Sequence, residues 1–102
     1  MDQQNVAVLG ASPKPERYSN RAIQHLAAEG HRVFPVNPGY DSIFGFDCFD
    51  RIEDIKEPID TLTVYLGEKR SNPLADAVIS MRPGRIILNP GAENPALEKK
   101  AE

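Results

Sequence analysis

Four short apolar runs constrain this chain more than any other feature: NVAVL at 5–9, RVFPV at 32–36, DTLTVYL at 60–66 and RIIL at 85–88. They are rich in β-branched residues and too short for helices, so they read as buried strands. Two segments between them have helical spacing. Residues 19–29 put Ala22, Ile23, Leu26 and Ala27 on one face, with Ser19 as N-cap and Gly30 as the stop. Residues 72–81 do the same with Leu74, Ala77, Val78 and Met81, behind Asn72 as cap and Pro73 at the first helical position. Asn94 and Pro95 open a last helix. The stretch 39–58 is less regular, with a short extended piece from Asp47 to Phe49 and a helical turn at 51–55. Pro35 is awkward for a central strand and points to a strand end or a local irregularity.

Buried strands alternating with amphipathic helices predict an α/β fold. The expected architecture is a doubly wound, Rossmann-like parallel sheet with strand order 3-2-1-4-5 and helices on both faces. The chain of 102 residues makes one such domain. Ligands of these folds sit beyond the carboxyl ends of the strands. Here those ends are 10–18, 36–40, 65–70 and 89–93.

The first of these loops carries the strongest chemistry. Gly10, Ala11 and Ser12 are small and let an anion approach main-chain N–H groups, and Ser12 adds a hydroxyl. The following helix aims its positive end at the same place. Lys14, Arg17 and Arg21 add full positive charge suited to phosphates. Yet GASPKP matches neither G-x-G-x-x-G nor the P-loop pattern. At the end of the second strand a NAD site places an acid for the ribose 2′-OH. Here the sequence is Val36-Asn37-Pro38, which counts against ordinary NAD but would not repel a phosphorylated ribose. Val36 and Pro38 could face an adenine, or the segment could be a plain turn. Tyr65 and Leu66 either line an apolar channel or close the core, and Lys69 or Arg70 could reach phosphate. Glu93 is the acid nearest these loops, but no Ser-His-Asp, Cys-His or paired-carboxylate arrangement accompanies it. No catalytic residue is assigned.

Composition narrows the function further. A net charge of −3 argues against a nonspecific nucleic-acid binder. No run of about 18 apolar residues is present, so no membrane span is expected. The first ten residues lack the pattern of a signal peptide, and the single cysteine, Cys48, allows no internal disulfide. Both fit a reducing cytoplasm. Cys48 reads as a buried or incidental thiol. His25 and His31 have no metal-ligand partner at useful spacing and read as structural or solvated.

The segments VAVLGASPKPERYSNRA, GHRVFPVNPGY, DTLTVYL and RPGRIILNPGAENPALEKKAE together resemble the CoA-binding domain family. Its members are small Rossmann-like proteins similar to the N-terminal domain of the succinyl-CoA synthetase α subunit. The resemblance implies coenzyme A or an acyl-CoA as ligand. It implies phosphates held by Gly10, Ala11, Ser12, Lys14, Arg17 and Ser19, and adenosine beside Val36, Asn37 and Pro38. Tyr65 and Leu66 would lie near the pantetheine, with Gly91 close by. It supports binding rather than independent catalysis, because the separate ligase domain has no counterpart here. Family members also continue into a further strand beyond the last helix, whereas this sequence ends at Glu102, so an exposed sheet edge is expected. A small domain with such an edge points to a homodimer or a protein partner. Two other readings stay open: an NAD(P)-binding oxidoreductase-type domain, and an interaction domain with a vestigial nucleotide site.

Overall fold

The computed structural model describes residues 3–66 and 74–89. Expectations for Lys69, Arg70, Asn72, Pro73, Gly91, Glu93, Asn94 and Pro95 lie outside the described residues. The elements are β1 (Asn5–Leu9), α1 (Tyr18–Ala28), β2 (Arg32–Val36), β3 (Ser42–Ile43), β4 (Phe46–Asp47), a 3-10 turn (Ile52–Asp54), β5 (Thr61–Val64), α2 (Ala75–Met81) and β6 (Arg85–Leu88).

The expected doubly wound parallel sheet is present. Four strands run in the order β2-β1-β5-β6, every pair parallel. Leu9 sits level with Val36 on one side and Val64 on the other, and Val64 is level with Leu88. The carboxyl ends of all four strands therefore finish flush, and their loops emerge along one rim.

The expected third strand differs in detail. Beside β2 it is a single parallel bridge between Val36 and Phe49 rather than a strand. The Phe49 N–H donates to the Pro35 carbonyl and the Asn37 N–H to the Phe49 carbonyl, both at 2.9 Å. The preceding chain instead folds into the β3–β4 hairpin, a sheet of its own. This resolves Pro35. In a parallel ladder a residue aims its N–H and C=O to the same side, and Pro35 aims its carbonyl at Phe49, away from β1. Its missing N–H thus falls on the outer side of β2 and costs β1 nothing.

α1 starts one residue earlier than expected. Arg17, in an extended conformation, is the N-cap and makes no side-chain capping bond. Ser19 is instead buried within the first turn, at 4% exposure. The reason is the turn just before the helix: the Arg17 N–H donates to the Lys14 carbonyl at 3.1 Å, which swings the chain into its helical path before Ser19 is reached. The other end is as the sequence implies. Gly30 takes φ +83°, its N–H bonds the Ala27 carbonyl and the His31 N–H bonds the Leu26 carbonyl. That is the glycine-dependent Schellman closure.

Each face of the sheet carries a packed layer. Ile23 of α1 packs with Val8, Val33 and Ile43 on one face. On the other, Val78 of α2 and Ile52 of the 3-10 turn pack with Ala7, Leu9, Phe34, Leu62 and Val64. Burying one such aliphatic side chain contributes about 1.5–3 kcal/mol, so these two layers are what fixes the sheet and hence its rim. Among the described residues, no helix is long and apolar enough to cross a membrane.

Candidate functional site

The rim at the ends of β1, β2 and β5 holds two adjoining concavities. The first, about 430 Å³, is lined by Gly10, Ala11, Ser12, Lys14, Arg17, Tyr18, Ser19, Asn37, Tyr40, Tyr65 and Leu66. The second, about 240 Å³, is lined by Leu9, Gly10, Val36, Asn37, Pro38, Asp50, Arg51, Ile52, Leu66 and Leu74. Gly10, Asn37 and Leu66 belong to both and form the divide between them. Apart from Arg21, every described residue proposed from sequence as a ligand contact lines at least one of the two. A wider groove of about 620 Å³ lies along the α1 face of the sheet, over Val6, Thr61, Thr63 and Ile87. It runs beside the strands rather than beyond their ends.

Gly10 begins the loop at φ +88°, and a Cβ there would sit 2.8 Å from Leu66 Cδ2. The position demands glycine both for its backbone and for the approach of Leu66. The N–H groups of Gly10 and Ala11 do not face the loop cavity. Both donate to the Val36 carbonyl, at 3.1 and 3.3 Å. These two residues shape the cradle through smallness and not as donors. Donors come from further along. The first-turn N–H groups of a helix have no intrahelical partner, and the Arg17 cap supplies no side-chain acceptor.

Two asparagines brace the loop. The Asn37 amide donates to the Ala11 carbonyl. The amide of Asn20, buried in α1 at 3% exposure, donates to the Ser12 carbonyl at 2.8 Å and accepts from Gln24 Nε2 at 2.7 Å. The Lys14 N–H closes back on the Ser12 hydroxyl at 3.2 Å. The loop is therefore tied to β2 on one side and to α1 on the other. Asn37 reads from sequence as a neutral substitute for the ribose acid; its position also gives it this second task. Asn20 escapes sequence reasoning, although a polar residue one turn inside an amphipathic helix, next to the apolar face, was an available signal.

Lys14 and Arg17 line the loop cavity, whereas Arg21 does not. One turn further into α1, its guanidinium lies 5.9 Å from the centre of the Tyr18 ring. Tyr18 and Tyr40, exposed at 79% and 42%, flank the same cavity; they lie in the strand-end loops read from sequence, which did not single them out. Tyr65 does both things the sequence allows: it packs against the α1-side core and lines the cavity. Its N–H is held by the Leu9 carbonyl at 2.9 Å, so β5 and β1 leave the sheet together.

The remaining titratable candidates lie away from the rim cavities. His31 accepts the Gln4 N–H on Nδ1 at 3.0 Å, a structural role. His25 stands 3.4 Å from Glu29 on the surface of α1. Cys48 is half-buried, and burial, helped by the Asp50 and Asp41 carboxylates, pushes its thiol above the ordinary value. Such a thiol is a poor nucleophile at neutral pH. Among the described residues, no histidine or cysteine lines either rim cavity, and no cluster could hold a metal ion.

A family model described as the CoA binding domain matches residues 4–102. The chain belongs to the CoA-binding domain family. An ADP-forming acetate–CoA ligase of Methanocaldococcus jannaschii is 30% identical over 62 residues, 61% of this chain. That match covers 9% of the ligase, so this chain corresponds to a small part of it. A hypothetical protein from Pyrococcus horikoshii superposes with a TM-score of 0.90 at 29% identity, covering 97% of this chain and 70% of the other. A solved structure from Thermus thermophilus gives 0.89 at 33% identity, covering 95% and 74%.

Proposed function

We propose that this domain binds coenzyme A or an acyl-CoA along the rim and supplies no chemistry of its own. The observation that carries the proposal is the pairing of a cationic cavity with an apolar slot across one divide. A CoA-type ligand has the same division: a charged diphosphate joined to a flat, mostly apolar base. In this reading the diphosphate lies over the loop, near Ser12, Lys14, Arg17 and Ser19 at the start of α1. The adenosine enters the slot, between Val36 and Pro38 on one side and Leu66 and Leu74 on the other. The pantetheine leaves past Tyr65. The braced loop fits this task, since a cradle already held by Asn20 and Asn37 loses little freedom on binding.

The residues present suit a CoA-type ligand better than NAD. The ribose position has the neutral Asn37 and lacks the usual acid, and the loop cavity carries Lys14 and Arg17. Binding without catalysis is favoured because the cavities gather cations, tyrosines and aliphatic groups, with Asp50 as the carboxylate lining them among the described residues.

Isothermal titration calorimetry with CoA, dephospho-CoA and NADP⁺ tests the proposal. CoA is expected to bind tightest. Arg17→Gln is expected to weaken CoA by about tenfold, the worth of one charge-assisted hydrogen bond at its lower end. Equal or tighter binding of NADP⁺ would replace the proposal with the NADP reading. No binding of any of the three by folded protein would favour an interaction domain.

A further inference from the structure

In the reading proposed above, the loop cations are occupied by the diphosphate, and the third phosphate of a CoA-type ligand would hang from the ribose at the mouth of the apolar slot. We infer that Arg51 reads that ribose 3′-phosphate. This rests on the CoA reading above and adds to it a residue that separates CoA from its dephospho form.

Arg51 reaches the slot through the single bridge that stands in for the third strand. Phe49 is locked beside Val36 by its two backbone hydrogen bonds to β2. Three residues on, Ile52 is buried at 2% exposure in the core below. The chain between these anchors has to cross the lip of the slot, carrying Asp50 and Arg51. Both line it, beside Asn37 and Pro38. Among the described residues, Arg51 is the cation that lines the slot, whereas Lys14 and Arg17 line the loop cavity across the divide.

Its present commitments are weak. The guanidinium stands 3.9 Å from Asp54 Oδ1, at the limit of an ion pair, with side chains 71% and 44% exposed. Exposed pairs of that kind contribute little. A phosphomonoester offers a doubly charged, bidentate partner that a guanidinium fork fits better than one carboxylate oxygen. Asp50 works in the opposite sense. A carboxylate on the same lip repels a 3′-phosphate and leaves Arg51 to offset it. The two neighbours therefore have effects of opposite sign, and only on ligands that carry the 3′-phosphate.

The test is titration calorimetry of wild type, Arg51→Gln and Asp50→Asn against CoA and dephospho-CoA, with thermal melts to establish folding. Wild type is expected to prefer CoA. Arg51→Gln should weaken CoA by about tenfold while leaving dephospho-CoA within about twofold, so that the preference disappears. Asp50→Asn should tighten CoA and leave dephospho-CoA unchanged. If wild type prefers CoA and Arg51→Gln keeps that preference, Arg51 is not the reader, and the CoA proposal stands. If wild type binds both forms equally, nothing reads the 3′-phosphate and the inference fails alone. If wild type binds neither, both fall together.

Discussion

Gly10→Ala tests the divide between the two cavities, with Gly30→Ala as its control. Both glycines have positive φ, +88° and +83°, so the backbone penalty is alike. Forcing an alanine there costs about 1–2 kcal/mol. Part of it, about 0.4–1 kcal/mol, is returned because alanine restricts the unfolded chain. Gly30 has open space around its would-be Cβ, so Gly30→Ala should cost about 1 kcal/mol net. At Gly10 the new methyl meets Leu66 Cδ2 at 2.8 Å and the Leu66 backbone nitrogen at 3.3 Å. The Leu66 side chain packs against the core and has to move to make room, an overpacking cost of about 1–3 kcal/mol. The total for Gly10→Ala is then about 2–4 kcal/mol. For a domain of this size each kcal/mol lowers Tm by about 4–8 °C, so thermal melts followed by circular dichroism separate the two variants easily. A Leu66→Ala background should bring the Gly10→Ala cost down toward that of Gly30→Ala, a coupling visible in a double-mutant cycle. Equal costs for the two glycines in the wild-type background, or strict additivity with Leu66→Ala, would refute the close approach as the reason for Gly10.

Two further outcomes follow from single residues. Phe44 and Gly45 form the two-residue tip of the β3–β4 hairpin with φ of 51° and 81°, and Phe44 is 55% exposed. That geometry favours Asn-Gly over Phe-Gly, so Phe44→Asn should raise stability by about 1 kcal/mol in urea denaturation; a loss would mean the ring packs more than its exposure indicates. The raised Cys48 pKa favours the neutral thiol in the folded state. Its contribution to stability is full below the unfolded thiol pKa and fades as pH climbs through the folded one. Alkylation of Cys48 should accordingly be slower in native than in urea-unfolded protein at pH 8, and its pH profile displaced to the alkaline side; equal rates would refute the burial effect.

How much of this was legible in the sequence depends on the range of the forces involved. Strands β1, β2 and β6 are visible with their exact bounds as short, mostly apolar runs; burial on both faces is the reason in β1 and β2, whereas Arg85 and Ile87 of β6 are exposed. The start of α1 is not. Ser19 has the right chemistry for a cap, but a backbone bond from Arg17 to Lys14 decides where the helix begins. The third strand is expected in the right place but at greater length than it has, for a related reason. Phe49 is held by two hydrogen bonds to Pro35 and Asn37, residues twelve or more positions away, and a one-residue bridge has no periodicity to read. The loop cradle at Gly10, Lys14 and Arg17 is local in sequence and is read directly. Arg51 and Asp50 reach the same rim only through that bridge, so no spacing in the chain announces them.

The loop also explains how a strand-to-helix turn can dispense with the glycines of the dinucleotide fingerprint. Those glycines let the backbone approach a diphosphate and let the helix pack close to the strand. Here Gly10 alone takes the positive-φ turn, and side chains take over the rest. Asn37 fastens Ala11 to the end of β2, and Asn20 fastens Ser12 to α1. Bonds between a side chain and the main chain hold a loop in one shape where glycines would leave it freer. The consequence is a division of labour. With the Gly10 and Ala11 N–H groups spent on Val36, attraction for an anion has to come from the first turn of α1 and from Lys14 and Arg17. A site built that way depends more on charge than a glycine-rich one does, and its affinity should fall more steeply with salt. On the proposed CoA reading, Lys14 and Arg17 would then weigh more than the main chain in deciding which phosphates the rim accepts.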